Sequence, residues 1–174
     1  PDWEVSAGRL VHTLRHEPDA FAPKHRWAMD WYYPVLAGVF SGDEGRSHLD
    51  GRLDTFYLEG RGIRCVSDRP WITAAETCEC LLAYLSVGRT DFALELFRQA
   101  QTLRSEDGYY WTGIVYPEQV HFPGDERSPY TAAAVILAAD ALAQASPASR
   151  LFTDHSFLPE AALDETHEDE PSLD

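Results

Sequence analysis

Along residues 2–16, Trp3, Ala7, Leu10, Val11 and Leu14 recur at helical spacing with charged residues opposite, which predicts an amphipathic helix. The run from Pro34 to Phe40 reads differently. It is apolar on every side, Pro34 suits a first turn and Gly42 offers a stop, so a helix buried all round is expected. The contrast repeats twice. Residues 44–57 are amphipathic through Leu49, Leu53 and Phe56, and residues 73–87 are then almost wholly apolar up to Gly88. Residues 91–103 are amphipathic through Phe92, Leu96, Phe97 and Ala100, and residues 131–145 carry almost no polar groups.

Three cycles of half-exposed then fully apolar helix predict concentric layers, with an outer set of helices wrapped round an inner one. The links after the apolar helices are short (Ser41-Gly-Asp43 and Gly88-Arg-Thr90), whereas those entering them, 17–33, 57–72 and 104–130, are long and aromatic. Long loops gathered at one end of a rigid scaffold are where binding and catalytic groups concentrate. The expected fold class is therefore all-α, built of helical hairpins.

Residues 101–111 (Gln-Thr-Leu-Arg-Ser-Glu-Asp-Gly-Tyr-Tyr-Trp) resemble the Gln/Asp-Gly/aromatic turn of prenyltransferase-type repeats. Residues 26–34 (Arg-Trp-Ala-Met-Asp-Trp-Tyr-Tyr-Pro), 64–71 (Arg-Cys-Val-Ser-Asp-Arg-Pro-Trp) and 128–134 (Ser-Pro-Tyr-Thr-Ala-Ala-Ala) are similar to actinobacterial proteins labelled prenyltransferase. The chain thus resembles the α/α-toroid superfamily, shared by six-hairpin glycosidases, terpenoid cyclases and protein prenyltransferases. The resemblance covers residues 1–150. It implies half of an (α/α)6 toroid, a C-terminal half that packs against a missing N-terminal half or a second copy, because three hairpins leave apolar edges uncovered.

Composition narrows the partners. The formal charge is −15, from 29 acidic against 14 basic residues, which argues against a nucleic-acid groove or an anionic membrane surface. Residues 154–174 hold eight acidic residues and no Lys or Arg, so residues 151–174 are expected to form a disordered acidic tail beyond a domain at 1–150. No apolar segment reaches the roughly 20 residues of a membrane span, and the N-terminus lacks the pattern of a signal peptide. Cys65, Cys78 and Cys80 are odd in number and imply no disulfide framework, which points to a reducing, cytoplasmic setting.

Candidate chemistry falls in the long loops and at the helix starts that follow them. Asp30, Asp68 and Glu76 lie at or just before the N-termini of apolar helices, where free N–H groups favour anions. Each has a structural reading beside the catalytic one. Asp30 suits a helix cap, Asp68 has Arg64 and Arg69 near it for charge pairing, and Thr73-Ala-Ala-Glu76 is a capping box. Trp27, Trp31, Tyr32 and Tyr33 would wall a mouth around Asp30, with Arg64, Arg69 and Trp71 from the second loop. The third loop adds Tyr110, Trp111, Tyr116, Glu118 and His121. Aromatic faces beside acids suit sugar rings or polyprenyl chains.

Glycoside hydrolysis needs two carboxyls about 5–10 Å apart, and Asp30, Asp68, Glu76, Glu118 and Asp125 supply candidates. A prenyl reaction would require metal-binding acids or a basic cluster for diphosphate, and neither an Asp-rich motif nor a basic patch is visible. Cys65 with Asp68 resembles part of a prenyltransferase zinc site, but the matching His is missing before the third apolar helix. His12 and His16 stand at i, i+4 without an evident third ligand, so no metal and no cofactor are expected. There is no Gly-rich phosphate loop and no nucleophile elbow. The preferred expectation is a hydrolase- or lyase-type carbohydrate-active enzyme acting on a glycan or small molecule. The alternatives are a prenyltransferase-like transferase and a non-catalytic toroid that binds a glycan or protein.

Overall fold

A computed structural model of the protein describes residues 2–22 and 24–156. These divide into two compact units, the N-terminal helix with its following turn, and Lys24–His155. The first holds α1 (Asp2–His16), as its hydrophobic spacing predicts, and a 3-10 turn at Pro18–Ala20. The expected acidic tail lies largely at 157–174, outside the described residues.

The second unit carries α2 (Met29–Leu36), α3 (Gly42–Asp50), α4 (Leu53–Phe56), β1 (Tyr57–Leu58), β2 (Gly62–Ile63), β3 (Trp71–Thr73), α5 (Ala74–Ser86), α6 (Thr90–Ala100), β4 (Gly113–Val115), β5 (Val120–Phe122) and α7 (Pro129–Ala143). Two antiparallel sheets form, β1-β2 and β3-β4-β5. The all-α fold class, half of an (α/α)6 toroid, is therefore corrected: the architecture is mixed α/β. The reason lies in the long loops. Their backbone N–H and C=O groups need partners wherever the loop is buried, and short antiparallel ladders supply them. Strands of two or three residues are too brief to write a period-two pattern into the sequence.

α5 is the hub. It packs against α2, α6 and α7 and buries Ala74, Ala75, Thr77, Cys78 and the run Cys80–Tyr84, which is why its sequence is apolar on nearly every face. The turn of β2 is tied to it by one side chain. Thr77 Oγ1 donates to Thr73 O at 2.6 Å and accepts from Ile63 N at 3.0 Å. α5 ends at Gly88, whose φ of 77° suits a residue without a Cβ.

α2 begins earlier than the apolar run suggests, so Met29 to Tyr33 are helical and Pro34 lies inside the helix. Trp31 is fully buried, stacked on Phe56 at 5.3 Å between ring centres, with Nε1 donating to Leu49 O. The predicted helix at 44–57 is broken into α3 and α4 at Gly51-Arg52. α7, expected to be buried all round, covers only Thr131, Ala134, Val135 and Ala138, and leaves Ile136 exposed. Ser128 caps it by accepting from Thr131 N, with Pro129 in its first turn.

The three-stranded sheet joins the second and third long loops. Ile72 pairs with Ile114, and Ile114 with His121. Gly113 sits where a Cβ would lie 2.7 Å from Ile72 O, so a glycine is required for β3 and β4 to approach. Trp71 and Phe122 stack at 4.3 Å on the same sheet. Among the described residues no helix is long and apolar enough to cross a membrane.

Candidate active site

Tyr33, Glu79 and Tyr130 meet at one end of a cleft, and Leu36, Leu82 and Leu137 line it one to two turns further along the same three helices. α2, α5 and α7 therefore run in the same direction, and their N-termini share one end of the second unit. That end carries the acids Asp30, Glu76 and Glu79 and the positive ends of three helix dipoles.

Glu79 is the residue around which the tyrosines are arranged. Tyr32, fully buried on α2, donates its hydroxyl to Glu79 Oε2 at 2.6 Å, and Tyr130 of α7 donates to Oε1. Each carboxylate oxygen thus has its own phenol donor. Burial pushes the Tyr32 phenol well above its ordinary range, and the charges of Glu79 and Glu76 push it further. Tyr130 is raised by burial and by its bond to Glu79, and Tyr33 is raised chiefly by burial. All three hydroxyls stay protonated and remain donors.

Glu76 stands one turn before Glu79, and residues three apart on a helix face the same way. Burial raises its carboxyl above the usual carboxylate range, and the Glu79 charge adds to the effect. Thr73 occupies the cap position of α5 without a side-chain cap hydrogen bond, and its side chain with the Glu76 amide holds the rise of the Glu76 carboxyl down. The same acid acts on Cys65, whose thiol is pushed up to about 12 by burial first and by Glu76 second.

The other expected site residues spread over three neighbourhoods. Asp30 lies half-buried in the first turn of α2, where Ala28 rather than Asp30 holds the cap position. Asp68 pairs with Arg26 at 3.1 Å, not with Arg64 or Arg69, and Arg26 also lies 5.0 Å from the exposed Trp27 ring. Arg69 is exposed, and the buried Arg64 Nε has no hydrogen-bond partner among the described residues. The Trp31 side chain is buried in the core, whereas Tyr32 and Tyr33 face Glu79.

On the sheet side, Trp111 lies between chemistry of two kinds. His121 stacks on it at 4.0 Å and the Arg127 guanidinium lies 3.9 Å from its ring centre, while Arg127 also pairs with Asp107 at 2.6 Å. The Ser105 hydroxyl and Arg127 hold the Asp107 carboxyl below its usual range. Tyr110 donates to Gln101 Oε1, Arg61 lies over Tyr116, and Glu118 is exposed at the turn between β4 and β5.

Sequence reading missed Glu79, Tyr130 and Arg26. The signal for Glu79 was its spacing of three from Glu76 on an otherwise apolar helix. Tyr130 sits in the first turn of the third apolar helix, the counterpart of Tyr32 and Tyr33 on α2. The His12 and His16 rings lie 4.6 Å apart, tilted to one another, on α1, and among the described residues no group of three or more His, Cys, Asp or Glu is arranged to hold a metal ion.

No protein-family model matches the chain. A curated relative from Mycolicibacterium hassiacum, an MMP endo-(1,4)-3-O-methyl-α-D-mannosidase, is 49% identical over 152 residues, which cover 87% of this chain. The chain spans 42% of that relative's length.

Proposed function

We propose that this chain forms part of a carbohydrate-active enzyme, a glycoside hydrolase that cleaves internal α-mannosidic bonds, with Glu76 as the proton donor. The observation that carries this reading is the environment of Glu76: a carboxyl raised by burial, at the shared end of three helices, one turn from a tyrosine-held glutamate. A general acid must be protonated at working pH yet close to an exchangeable surface, and raised carboxyls in apolar surroundings meet that need. The name of the 49% identical relative supports the substrate class.

In this mechanism the Glu76 proton passes to the glycosidic oxygen as the bond to the anomeric carbon breaks. Positive charge develops on the sugar ring, and the Glu79 carboxylate, fixed by Tyr32 and Tyr130, lies one helical turn away to stabilise it. Asp30, at the same end on α2, takes a proton from the water that adds to the anomeric carbon. Asp68 with Arg26 and the exposed Trp27 offer hydrogen bonds and a ring face to neighbouring sugars.

The test uses the full-length protein and a methylated mannan. Glu76→Gln should lower kcat by about 10²–10⁴-fold while binding persists, the range typical of a lost general acid. Wild-type activity should fall as pH rises through the raised Glu76 pKa, and that limb should vanish in the variant. A variant with wild-type turnover would overturn the assignment.

A further inference from the structure

Glu76 and Glu79 stand one turn apart on the same face of α5, and their surroundings differ in one respect that bears on where a proton resides. Glu79 is met on Oε2 by the Tyr32 hydroxyl at 2.6 Å and on Oε1 by the Tyr130 hydroxyl. An ionised carboxylate accepts on both oxygens, whereas a protonated carboxyl turns its own O–H outward and loses one of those bonds. The titratable groups that the three helices bring to Glu79 are Tyr32 and Tyr33 of α2, Tyr130 of α7, and Glu76, Cys78 and Cys80 of α5. None of these is basic. Two negative charges one turn apart repel, so the pair retains one proton where two solvated glutamates would retain none.

We propose that Tyr32 is a positioning residue, resting on the glycosidase reading above: its hydroxyl holds Glu79 ionised and so leaves the proton of the pair on Glu76, the group that would protonate the glycosidic oxygen. The two phenols are not equivalent. Tyr32 is fully buried, so nothing replaces its hydroxyl once removed, whereas Tyr130 is 54% exposed and water can stand in for it. Tyr32 reaches the reaction only through Glu79. Without its donor, the proton passes to Glu79 in part of the molecules, and Glu76 is then a carboxylate with nothing to give.

Tyr32→Phe tests this, because it keeps the ring and its edge contacts with Trp31 and Tyr33 and removes the donor. In full-length protein labelled with carbon-13 at the glutamate carboxyls, NMR reads the proton on each glutamate without turnover, and Glu79→Gln assigns the Glu79 signal. In Tyr32→Phe, Glu79 should take up its proton at about tenfold lower acidity than in wild type, the size of one hydrogen bond to a charged group, with a smaller change in Tyr130→Phe. The acid limb of the kcat profile should move to higher pH in Tyr32→Phe while the alkaline limb stays, and Tyr32→Phe should shift nothing further in a Glu79→Gln background. A ring-fluorinated tyrosine at position 32, a stronger donor of nearly the same size, should move the Glu79 signal the other way and serves if Tyr32→Phe does not fold. A merely structural Tyr32 would lower kcat alike at every pH. An unmoved Glu79 signal, or an effect of Tyr32→Phe that persists in Glu79→Gln, would overturn the proposal. A shifted Glu79 signal with an active Glu76→Gln sinks only the proton-donor assignment, and an unmoved signal with an inactive Glu76→Gln sinks only the role of Tyr32.

Discussion

Glu76 and Glu79 show how two identical side chains one turn apart acquire different roles. Glu79 accepts one phenol on each oxygen, which fixes its orientation. Glu76 lies at the buried start of α5 and binds its proton more tightly than a solvated glutamate. The sign for stability follows from linkage. Its pKa is raised in the folded state, so its contribution is fully present below the unfolded pKa and is lost as pH rises through the folded one. Glu76→Gln stays neutral at every pH, and its Tm should exceed that of wild type at about pH 8 and approach it near about pH 4. Melting curves across that interval check the prediction, and a variant less stable than wild type at high pH would contradict it. Such a gain on removing the proposed proton donor would be the usual trade between stability and activity.

Among the elements, α5 sets the position of everything at the site, and Thr77 ties it to the loop that carries Cys65 and Asp68. Its hydroxyl is buried and makes two hydrogen bonds, one to the helix start and one from Ile63 N. Thr77→Val keeps the volume but leaves the Ile63 amide without an acceptor, and a buried orphan of this kind costs about 1–3 kcal/mol. Urea unfolding should show that loss, and Thr77→Ser should recover most of it. A Thr77→Val variant as stable as wild type would mean that the β2 turn is not anchored through this bond. The helices α1, α5 and α6 were legible in the sequence because their apolar positions run over three or four turns. The strands were not, since Trp71–Thr73 and Val120–Phe122 offer three residues each. β3 finds β4 from 40 to 44 positions away, and β5 turns back onto β4.

For the whole molecule, the formal charge of −15 and the cleft flanked by acids fit a neutral, hydroxyl-bearing ligand better than a polyanion. The chain spans 42% of the length of the relative it matches. Endo-cleavage makes a specific claim about products. With full-length protein and a methylated mannan, early time points should yield oligosaccharides of several lengths and a rapid fall in polymer size, read by mass spectrometry and size-exclusion chromatography. Steady release of monosaccharide from an otherwise intact polymer would contradict internal cleavage.

Read alone, the sequence determined the helices with long hydrophobic periods, the buried character of α5, the aromatic loops, and Asp30 and Glu76 as acids in the first turns of helices. These follow from local spacing, which each segment carries within itself. Only the tertiary structure decided that the loops pair into two antiparallel sheets, that Trp31 belongs to the core and that Asp68 takes Arg26 as its partner. It also decided that Glu79 stands between Tyr32 and Tyr130, residues 47 and 51 positions away from it in the chain. Hydrogen bonds and burial between distant segments leave no periodic trace, so they become visible only once the helices α2, α5 and α7 are set side by side.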